Sequence, residues 1–198
     1  EVIKKHPEIV YIVLGATHPH VLKSEGEEYR HSLVRRVTKL GLEKNVIFIN
    51  RFVSNEELYT YLKLCDIYVI PYLGEKQISS GTLIYTMGAA KPIISTPFWY
   101  ATEMLADNRG MLFDFNNSVQ LSEKITELLD DKSKRTTIAK NAFALAEKCY
   151  WPNIGKKYIR LLKDVVAEND ILAAAYEVAA GDESQFSLPP INLLQLRV

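Results

Sequence analysis

Short apolar runs alternate with longer segments of helical periodicity along most of the chain, and this alternation is the feature that most restricts its fold. Runs typical of strands lie at residues 8–15, 45–50, 66–72, 92–95 and 110–113. The first run is almost continuously apolar and ends in Gly15, as in a strand that is covered on both faces. Strands that alternate with helices predict βαβ units, and therefore an α/β domain with a Rossmann-like, doubly wound parallel sheet.

Helical patterns separate these strands and continue beyond the last of them. They lie at residues 24–42, 54–65, 80–90, 101–106, 119–129, 132–149, 152–166 and 171–180. Gly41 stands where a C-cap glycine belongs. Ser54 and Glu57 have the spacing of a capping box, which indicates that a helix begins at Ser54.

Composition excludes several classes of partner. The 198 residues carry 24 basic and 24 acidic side chains, so net charge favours neither nucleic acid nor an anionic membrane surface. No apolar run approaches the roughly 18 residues of a membrane span. Cys65 and Cys149 lie in apolar helical contexts and are predicted to be buried free thiols, which fits a cytoplasmic location.

The loop after the third predicted strand offers the best candidate binding site. It is polar and leads directly into a helix, with Ser79 or Ser80 as the N-cap. Gly81 and Thr82 then present unpaired backbone N–H groups at the positive end of the helix, a suitable site for phosphate or pyrophosphate. Lys76 can add a positive charge. Taken alone, the same residues also fit an ordinary capped helix start.

Other chemical signatures are missing from the sequence. No P-loop pattern and no G-x-G-x-x-G follows a strand, so neither a P-loop NTPase nor a dinucleotide site is supported. A nucleophile elbow would need a glycine two residues before the serine, and the sequence around Ser80 lacks one. No grouping of histidine, cysteine and carboxylate residues has metal-ligand spacing, so no metal site is expected.

The strand, proline, polar loop, helix and second strand that span residues 66–96 resemble the signature region of group 1 (family 4) retaining glycosyltransferases of the GT-B fold. That family reads P-S-x-x-E-G-F-G-x-x-x-x-E-A-M-A-x-G-x-P-V-I-A-S. Here Met87 and residues 92–95 (Pro-Ile-Ile-Ser) match it, and Pro71 lies near its opening proline. The resemblance extends over residues 2–166.

The resemblance implies a donor-binding, C-terminal domain of an enzyme that moves a sugar from a nucleotide sugar to an acceptor hydroxyl with retention, in glycan or polysaccharide synthesis. It implies no cofactor and no bound metal, because the nucleotide sugar is a substrate. The acceptor, a glycan or hydroxyl compound, would bind through an N-terminal domain outside this chain, and the catalytic residues are expected there. The full protein can still associate peripherally with a membrane.

Two positions depart from the family pattern. The paired glutamates of the family fall on Gln77 and Tyr85, which can hydrogen-bond a sugar or ribose hydroxyl but carry no negative charge. The loop is also about two residues longer than the pattern, so a shifted register would let Glu75 supply a carboxylate. Both registers stay open.

Four further residues are candidate contacts for the base or the cleft. Gly15 ends the first predicted strand, and His18 lies in the loop 16–20 that follows it. Arg51 and Phe52 follow the second strand, where the family frames the nucleotide base. A solvated arginine and a polar loop are the alternative interpretations of Arg51 and His18.

We expect residues 1–168 to form the nucleotide-sugar-binding domain, truncated at its N-terminus and inactive alone, and residues 169–198 to form a helical tail and linker. Residues 181–190, rich in Gly, Ser, Pro and charge, resemble a linker. Another GT-B enzyme, such as a phosphorylase or nucleotide-sugar epimerase, and a noncatalytic assembly module are the alternatives. The sequence does not specify the sugar, the base, the acceptor or the oligomeric state.

Overall fold

A computed structural model describes residues 1–180, with side chains described as far as residue 176. It contains two compact units, Glu1–Lys148 and a second one that begins at Cys149. The helices are α1 Val2–Lys5, α2 Pro19–Glu25, α3 Glu28–Lys39, α4 Asn55–Leu64, α5 Gly81–Gly88, α6 Trp99–Met104, α7 Ser118–Asp130, α8 Lys132–Lys148 and α9 Trp151–Ala180. The strands are β1 Tyr11–Leu14, β2 Val46–Ile49, β3 Tyr68–Ile70, β4 Ile93–Ser95 and β5 Met111–Leu112.

All strand pairs are parallel, as the sequence predicts. β1 pairs with β2, and β3, β4 and β5 form a second group in that spatial order. No strand pairing joins the two groups within residues 1–180. The predicted α/β class with parallel sheets and covering helices is therefore confirmed.

The strand β4 shows why this part of the chain has a two-sided core. Ile93 and Ile94 are both fully buried, although successive side chains of a strand point to opposite faces. Ile93 packs in one apolar cluster with Leu83 and Met87 of α5, and Ile94 packs in another with Leu128 of α7. Helices therefore cover both faces of β4, as expected for a doubly wound sheet.

Local chemistry determines where several helices begin and end. The Ser54 hydroxyl accepts the Glu57 N–H at 3.2 Å, which gives half of the predicted capping box. Gly41 has φ +66°, and its N–H donates to the Thr38 carbonyl. The next N–H, of Leu42, reaches the Val37 carbonyl at 3.1 Å, so α3 ends in the predicted glycine cap, a Schellman motif.

Two predicted helical segments differ from the structure. The predicted helix 24–42 is divided by Gly26, whose φ is +67°. The helix before this break, α2, begins at Pro19, inside the region predicted to be a loop. The predicted helices 152–166 and 171–180 are one continuous helix, α9. The residues between them, including Asn169, have only slightly lower helix propensity than their neighbours, and this does not break the helix.

The second unit is described through α9 alone. This helix continues through positions 168 and 169, and the division of the chain into 1–168 and 169–198 stays a prediction. The predicted linker at 181–190 lies outside the described residues. Among the helices described, none has the length and apolar character needed to cross a membrane.

The two cysteines differ from the prediction of buried thiols. Cys65 is only half-buried, and Cys149 is exposed. Burial raises the pKa of the Cys65 thiol, whose sulfur donates to the Leu62 carbonyl. The prediction was wrong for Cys149 because it lies between α8 and α9 rather than inside a helix.

Candidate functional site

The start of α5 has the chemistry of an anion site. The buried Ser80 hydroxyl accepts the Leu83 N–H at 3.3 Å, and this cap fixes Gly81 as the first residue of the helix. The backbone N–H groups of Gly81 and Thr82 have no acceptor among residues 1–180. They therefore remain available at the positive end of the helix.

Hydroxyl groups surround this helix start. The Thr82 hydroxyl lies 3.3 Å from the Tyr72 hydroxyl and 3.4 Å from the Ser80 hydroxyl. Thr86 donates its own hydroxyl to the Thr82 carbonyl at 2.7 Å, so it orients the first turn. Three hydroxyls thus meet beside the free N–H groups, after the carboxyl end of β3, where ligands of parallel sheets bind.

Thr96 is a supporting residue that the sequence analysis did not select. It follows β4 and is buried, and its hydroxyl donates to the Tyr72 carbonyl at 2.6 Å. Its backbone N–H also donates to the Ile70 carbonyl. These bonds hold the segment after β3 against the segment after β4. The sequence does contain a signal for this residue, which is a threonine directly after a buried strand. A buried hydroxyl there must find a hydrogen-bond partner, and a neighbouring carbonyl is the natural one.

The loop between β3 and α5 is tethered to the start of α6. The carbonyl of Glu75 accepts the Trp99 N–H at 2.9 Å, and the carbonyl of Gln77 accepts the Tyr100 N–H at 3.2 Å. These carbonyls satisfy N–H groups that the first turn of α6 leaves unpaired. The Gln77 amide donates to the Ser79 carbonyl, which closes the loop toward α5.

The candidate residues of the loop and of the first turn of α5 differ in exposure. Ser80 is buried and Thr82 half-buried, whereas Ser79 and Gly81 are exposed. Glu75 and Lys76 both have exposed side chains. Gln77 is half-buried, and its side-chain bond to the loop leaves the amide oxygen available.

Tyr85 lies one turn into α5, beside Gly81. Its ring carbon Cε2 is 4.0 Å from the position that a Cβ on Gly81 would occupy. The same ring packs against Tyr59 of α4, with a centroid separation of 5.6 Å. A side chain longer than a methyl group at Gly81 would therefore meet the Tyr85 ring.

Gly15 directly follows β1, and His18 lies at the start of α2. Gly15 lines a cavity of about 160 Å³ whose other lining residues are Val13, Ala16, Thr17, Tyr29, Arg30, Leu33, Phe48 and Asn50. His18 is the N-cap of α2, and its Nδ1 accepts the His20 N–H at 3.2 Å. His18 is exposed, so its described role is to begin a helix.

A half-buried ion pair lies beside this cavity. Arg30 Nε is 2.5 Å from the Glu27 carboxylate, which also accepts the Thr17 hydroxyl at 2.8 Å. The hydrogen bond from Arg30, followed by that from Thr17, lowers the pKa of the Glu27 carboxyl below its usual value. Glu27 therefore remains ionised and holds the loop after β1 to the start of α3.

Arg51 is paired with a carboxylate in this structure. Both of its terminal nitrogens donate to the Glu57 carboxylate, which raises the pKa of Arg51 and lowers that of Glu57. This bond uses the Glu57 side chain that a full capping box would direct to the Ser54 N–H. Phe52 projects into solvent, with 90% of its surface exposed.

No group of three or more histidine, cysteine or carboxylate side chains is positioned to hold a metal ion in the part of the chain that the structure describes. The start of α5 offers backbone N–H groups and hydroxyls instead, and the loop before it carries the exposed Lys76. Groups of these kinds can donate hydrogen bonds to an anion.

The family model for glycosyl transferases group 1 matches residues 1–144. The chain belongs to this family. It is 21% identical over 163 residues to spore coat protein SA of Bacillus subtilis (strain 168). It is 28% identical over 99 residues to a glycosyltransferase of Methanocaldococcus jannaschii. These matches cover 80% and 50% of this chain but only 41% and 28% of the two relatives, so the chain spans less than half of their length.

Solved structures support the same fold. The C-terminal domain of the group 1 family protein LpcC from Francisella tularensis is similar with a TM-score of 0.64 and 25% identity, over 74% of this chain and 72% of that domain. Anabaena HepE in complex with UDP gives a TM-score of 0.68 at 22% identity, over 80% of this chain and 42% of HepE. HepE has also been solved in complex with UDP-glucose. The group 1 domain therefore has the fold of GT-B C-terminal domains.

Proposed function

We propose that this chain is the donor-binding domain of a glycosyltransferase and that the start of α5 holds the diphosphate of a nucleotide sugar. The observation that carries this proposal is the pair of unpaired backbone N–H groups at Gly81 and Thr82. Gly81 has no side chain, which leaves room for a ligand to approach the backbone. A diphosphate is the ligand that such a helix terminus favours by charge and by hydrogen bonding. The complexes of HepE with UDP and UDP-glucose support this choice of ligand.

The proposed reaction moves the sugar to an acceptor hydroxyl with retention, in glycan or polysaccharide synthesis. The negative charge on the diphosphate increases as the sugar leaves, and N–H donors fixed by the Ser80 cap stabilise that charge without rearrangement. Lys76 adds a mobile positive charge from the loop. We propose that no metal ion or cofactor takes part, and that Gln77 and Tyr85 contact the sugar and the ribose through neutral hydrogen bonds.

The acceptor site and the catalytic residues are proposed to belong to a part of the enzyme outside these 198 residues. The group 1 relatives are more than twice as long as the matched region, which leaves room for such a domain. We accordingly expect the isolated chain to bind donor nucleotides but to transfer no sugar. We propose a cytoplasmic location, which fits the two free cysteines, Cys65 and Cys149.

Thermal unfolding in the presence of UDP, GDP, ADP and their sugars tests the proposal. At a ligand concentration 100 times Kd, binding stabilises the folded state by about 2.7 kcal/mol. For a chain of this size, that raises Tm by roughly 5–10 °C. We expect one base to give such a shift and the Gly81→Val variant to abolish it, because the valine side chain occupies the space in front of the N–H groups.

Gly110→Val is unsuitable as a control because Gly110 is packed against Leu105. Gly74→Val is a better matched control, since Gly74 lies in the loop that precedes α5 and has no atom within 4 Å of an added Cβ. We expect Gly74→Val to keep the nucleotide-induced shift. If no nucleotide or nucleotide sugar stabilises the wild-type chain, the proposal is wrong and a noncatalytic role is favoured. A shift with sugar phosphates alone would favour a phosphorylase.

A further inference from the structure

Two exposed tyrosines on neighbouring helices stand beside the start of α5. We propose that Tyr59 and Tyr85 form a single aromatic surface, the tyrosine pair, that binds the nucleoside end of the donor by contact with its ring faces. This inference rests on the proposed function, because it assumes that the diphosphate lies at Gly81 and Thr82.

The tyrosine pair is placed by the periodicity of two successive helices. Tyr59 is the fifth residue of α4, and Tyr85 is the fifth residue of α5. α4 follows β2 and α5 follows β3, so both helices begin where a strand of a parallel pair ends. Each ring therefore lies about one turn from a helix N-terminus, close to the edge at which parallel sheets bind ligands.

The exposure of the tyrosine pair distinguishes it from the aromatic contacts of the core. Tyr59 and Tyr85 pack at 5.6 Å with an interplanar angle of 52°, yet 41% and 40% of their surfaces remain exposed. The neighbouring pair of Tyr72 and Phe98 has a similar separation of 5.3 Å, but Phe98 is fully buried. The tyrosine pair thus keeps ring surface available to a ligand, and the mutual contact restricts both rings before binding.

The distance between Tyr85 and Gly81 connects the tyrosine pair to the diphosphate site. Cε2 of Tyr85 lies 4.0 Å from the Cβ position of Gly81, so the ring flanks the residue that would hold a phosphate. A nucleoside is attached directly to that phosphate and must lie within a few ångströms of it. Stacking on an aromatic ring is available to every base and to the apolar face of a ribose.

The other side chains of α5 support contact through rings rather than through charge. The helix sequence, Gly-Thr-Leu-Ile-Tyr-Thr-Met-Gly, contains no carboxylate and no basic residue. Leu83 and Met87 are buried in the core, which leaves Tyr85 as the large exposed side chain of this helix. A ligand that lies along the exposed side of α5 therefore meets an aromatic ring.

Isothermal titration of the full chain with UDP, GDP and ADP, and separately with inorganic pyrophosphate, tests the inference. The variants are Tyr59→Ala, Tyr85→Ala and their double mutant, with Tyr158→Ala as a matched control because Tyr158 is an exposed tyrosine of α9. We expect each single substitution to weaken binding of the preferred nucleotide by about 5- to 10-fold, the lower part of the range for base stacking. The double mutant should lose less than the product of the single losses, since the two rings act together.

The pyrophosphate titration separates the two proposals. We expect its affinity, where measurable, to be unchanged by either tyrosine substitution and to be lost in Gly81→Val. If the wild-type chain binds neither nucleotide nor pyrophosphate, the proposed diphosphate site is wrong. If Gly81→Val loses the nucleotide while both tyrosine variants bind it as the wild type does, only the tyrosine pair is refuted.

A second pair of substitutions separates loss of binding from loss of folding. Tyr59→Leu and Tyr85→Leu keep apolar bulk at each position but remove the aromatic face, and circular dichroism melting checks that they fold. We expect these variants to weaken nucleotide binding as the alanine variants do. Tyr59→Phe and Tyr85→Phe, which lose only the hydroxyl, should retain most of the binding, and a loss in the phenylalanine variants equal to that in the leucine variants would refute contact through the ring faces. An equal loss of nucleotide and pyrophosphate binding in a folded leucine variant would instead mean that the rings only shape the helix terminus, and would overturn the inference.

Discussion

Gly110→Ala and Gly81→Ala are the same substitution in two environments, and the structure predicts opposite effects on stability. At Gly110 an added Cβ would lie 2.7 Å from Cδ2, 2.9 Å from Cβ and 3.0 Å from Cδ1 of Leu105. At Gly81 the nearest atom to an added Cβ is Cε2 of Tyr85, at the ordinary contact distance of 4.0 Å. Neither glycine has a left-handed backbone conformation, so steric contact alone distinguishes them.

The loss of stability expected for Gly110→Ala follows from the position of Leu105. This side chain is 3% exposed and belongs to the apolar cluster that includes Phe98 and Met104, so it cannot turn into solvent. One of the three short contacts is to its Cβ, which moves only with the backbone. Overpacking of this kind costs about 1–3 kcal/mol. For a chain of this length, a loss of 2 kcal/mol lowers Tm by roughly 4–8 °C.

Gly81→Ala should leave Tm unchanged or raise it slightly, because alanine restricts the unfolded chain and meets no obstacle in the folded one. Thermal and urea unfolding followed by circular dichroism measure both variants. A Gly110→Ala protein that melts within about 1 °C of the wild type would refute the packing argument, since so small a shift corresponds to well under about 1 kcal/mol for a chain of this size. Nucleotide titration of Gly81→Ala then reports the effect on the proposed diphosphate site separately from stability.

Three further predictions concern single side chains. Ser80→Ala removes the cap of α5 and should lower the free energy of unfolding by about 1 kcal/mol. The control Ser118→Ala alters a non-capping serine at the start of α7 and should change that free energy by less than about 0.5 kcal/mol. Equal urea midpoints for the two variants would contradict the capping role of Ser80. Because the folded pKa of Glu27 is lowered, its ion pair contributes stability above the unfolded pKa of about 4.3, and this contribution is lost as pH falls through the folded value. The difference in urea midpoint between wild type and Glu27→Gln should accordingly shrink on acidification, and a constant difference from neutral to acid pH would argue against it. A thiol reagent such as 5,5′-dithiobis(2-nitrobenzoate) should modify exposed Cys149 before half-buried Cys65, and the order should be checked with the Cys149→Ser chain.

The sequence predicts the start of α5 to within one residue, with Ser79 or Ser80 as the cap, because the information there is local. A capping serine followed by glycine needs only its own turn to begin a helix, and the structure has Ser80 as the cap and Gly81 as the first residue. The buried strand β4 is predicted for a similar reason, since a short apolar run that follows a proline is typical of a buried strand. The parallel arrangement follows from the alternation of strands and helices.

The contacts that the sequence did not predict depend on residues far apart or on a choice between partners. The spacing of Ser54 and Glu57 indicates a capping box, but it does not reveal that Arg51 takes the Glu57 carboxylate. The packing of Tyr59 on Tyr85 joins two different helices, and no periodicity within either one predicts it. The bond from Thr96 to Tyr72 likewise links two loops that are separate in sequence.

The tether between the loop and α6 makes Trp99 an intrinsic optical reporter. Its backbone N–H is held by the Glu75 carbonyl, and the residue is 54% exposed, so movement of the loop changes the solvent around the chromophore. The chain has two tryptophans, and the other, Trp151, lies at the start of α9 in the second unit. Replacing Trp151 by phenylalanine would leave Trp99 as the one tryptophan, which can be excited selectively over the tyrosines. Occupancy at α5 could then be followed by fluorescence on an unlabelled chain, at concentrations too low for calorimetry.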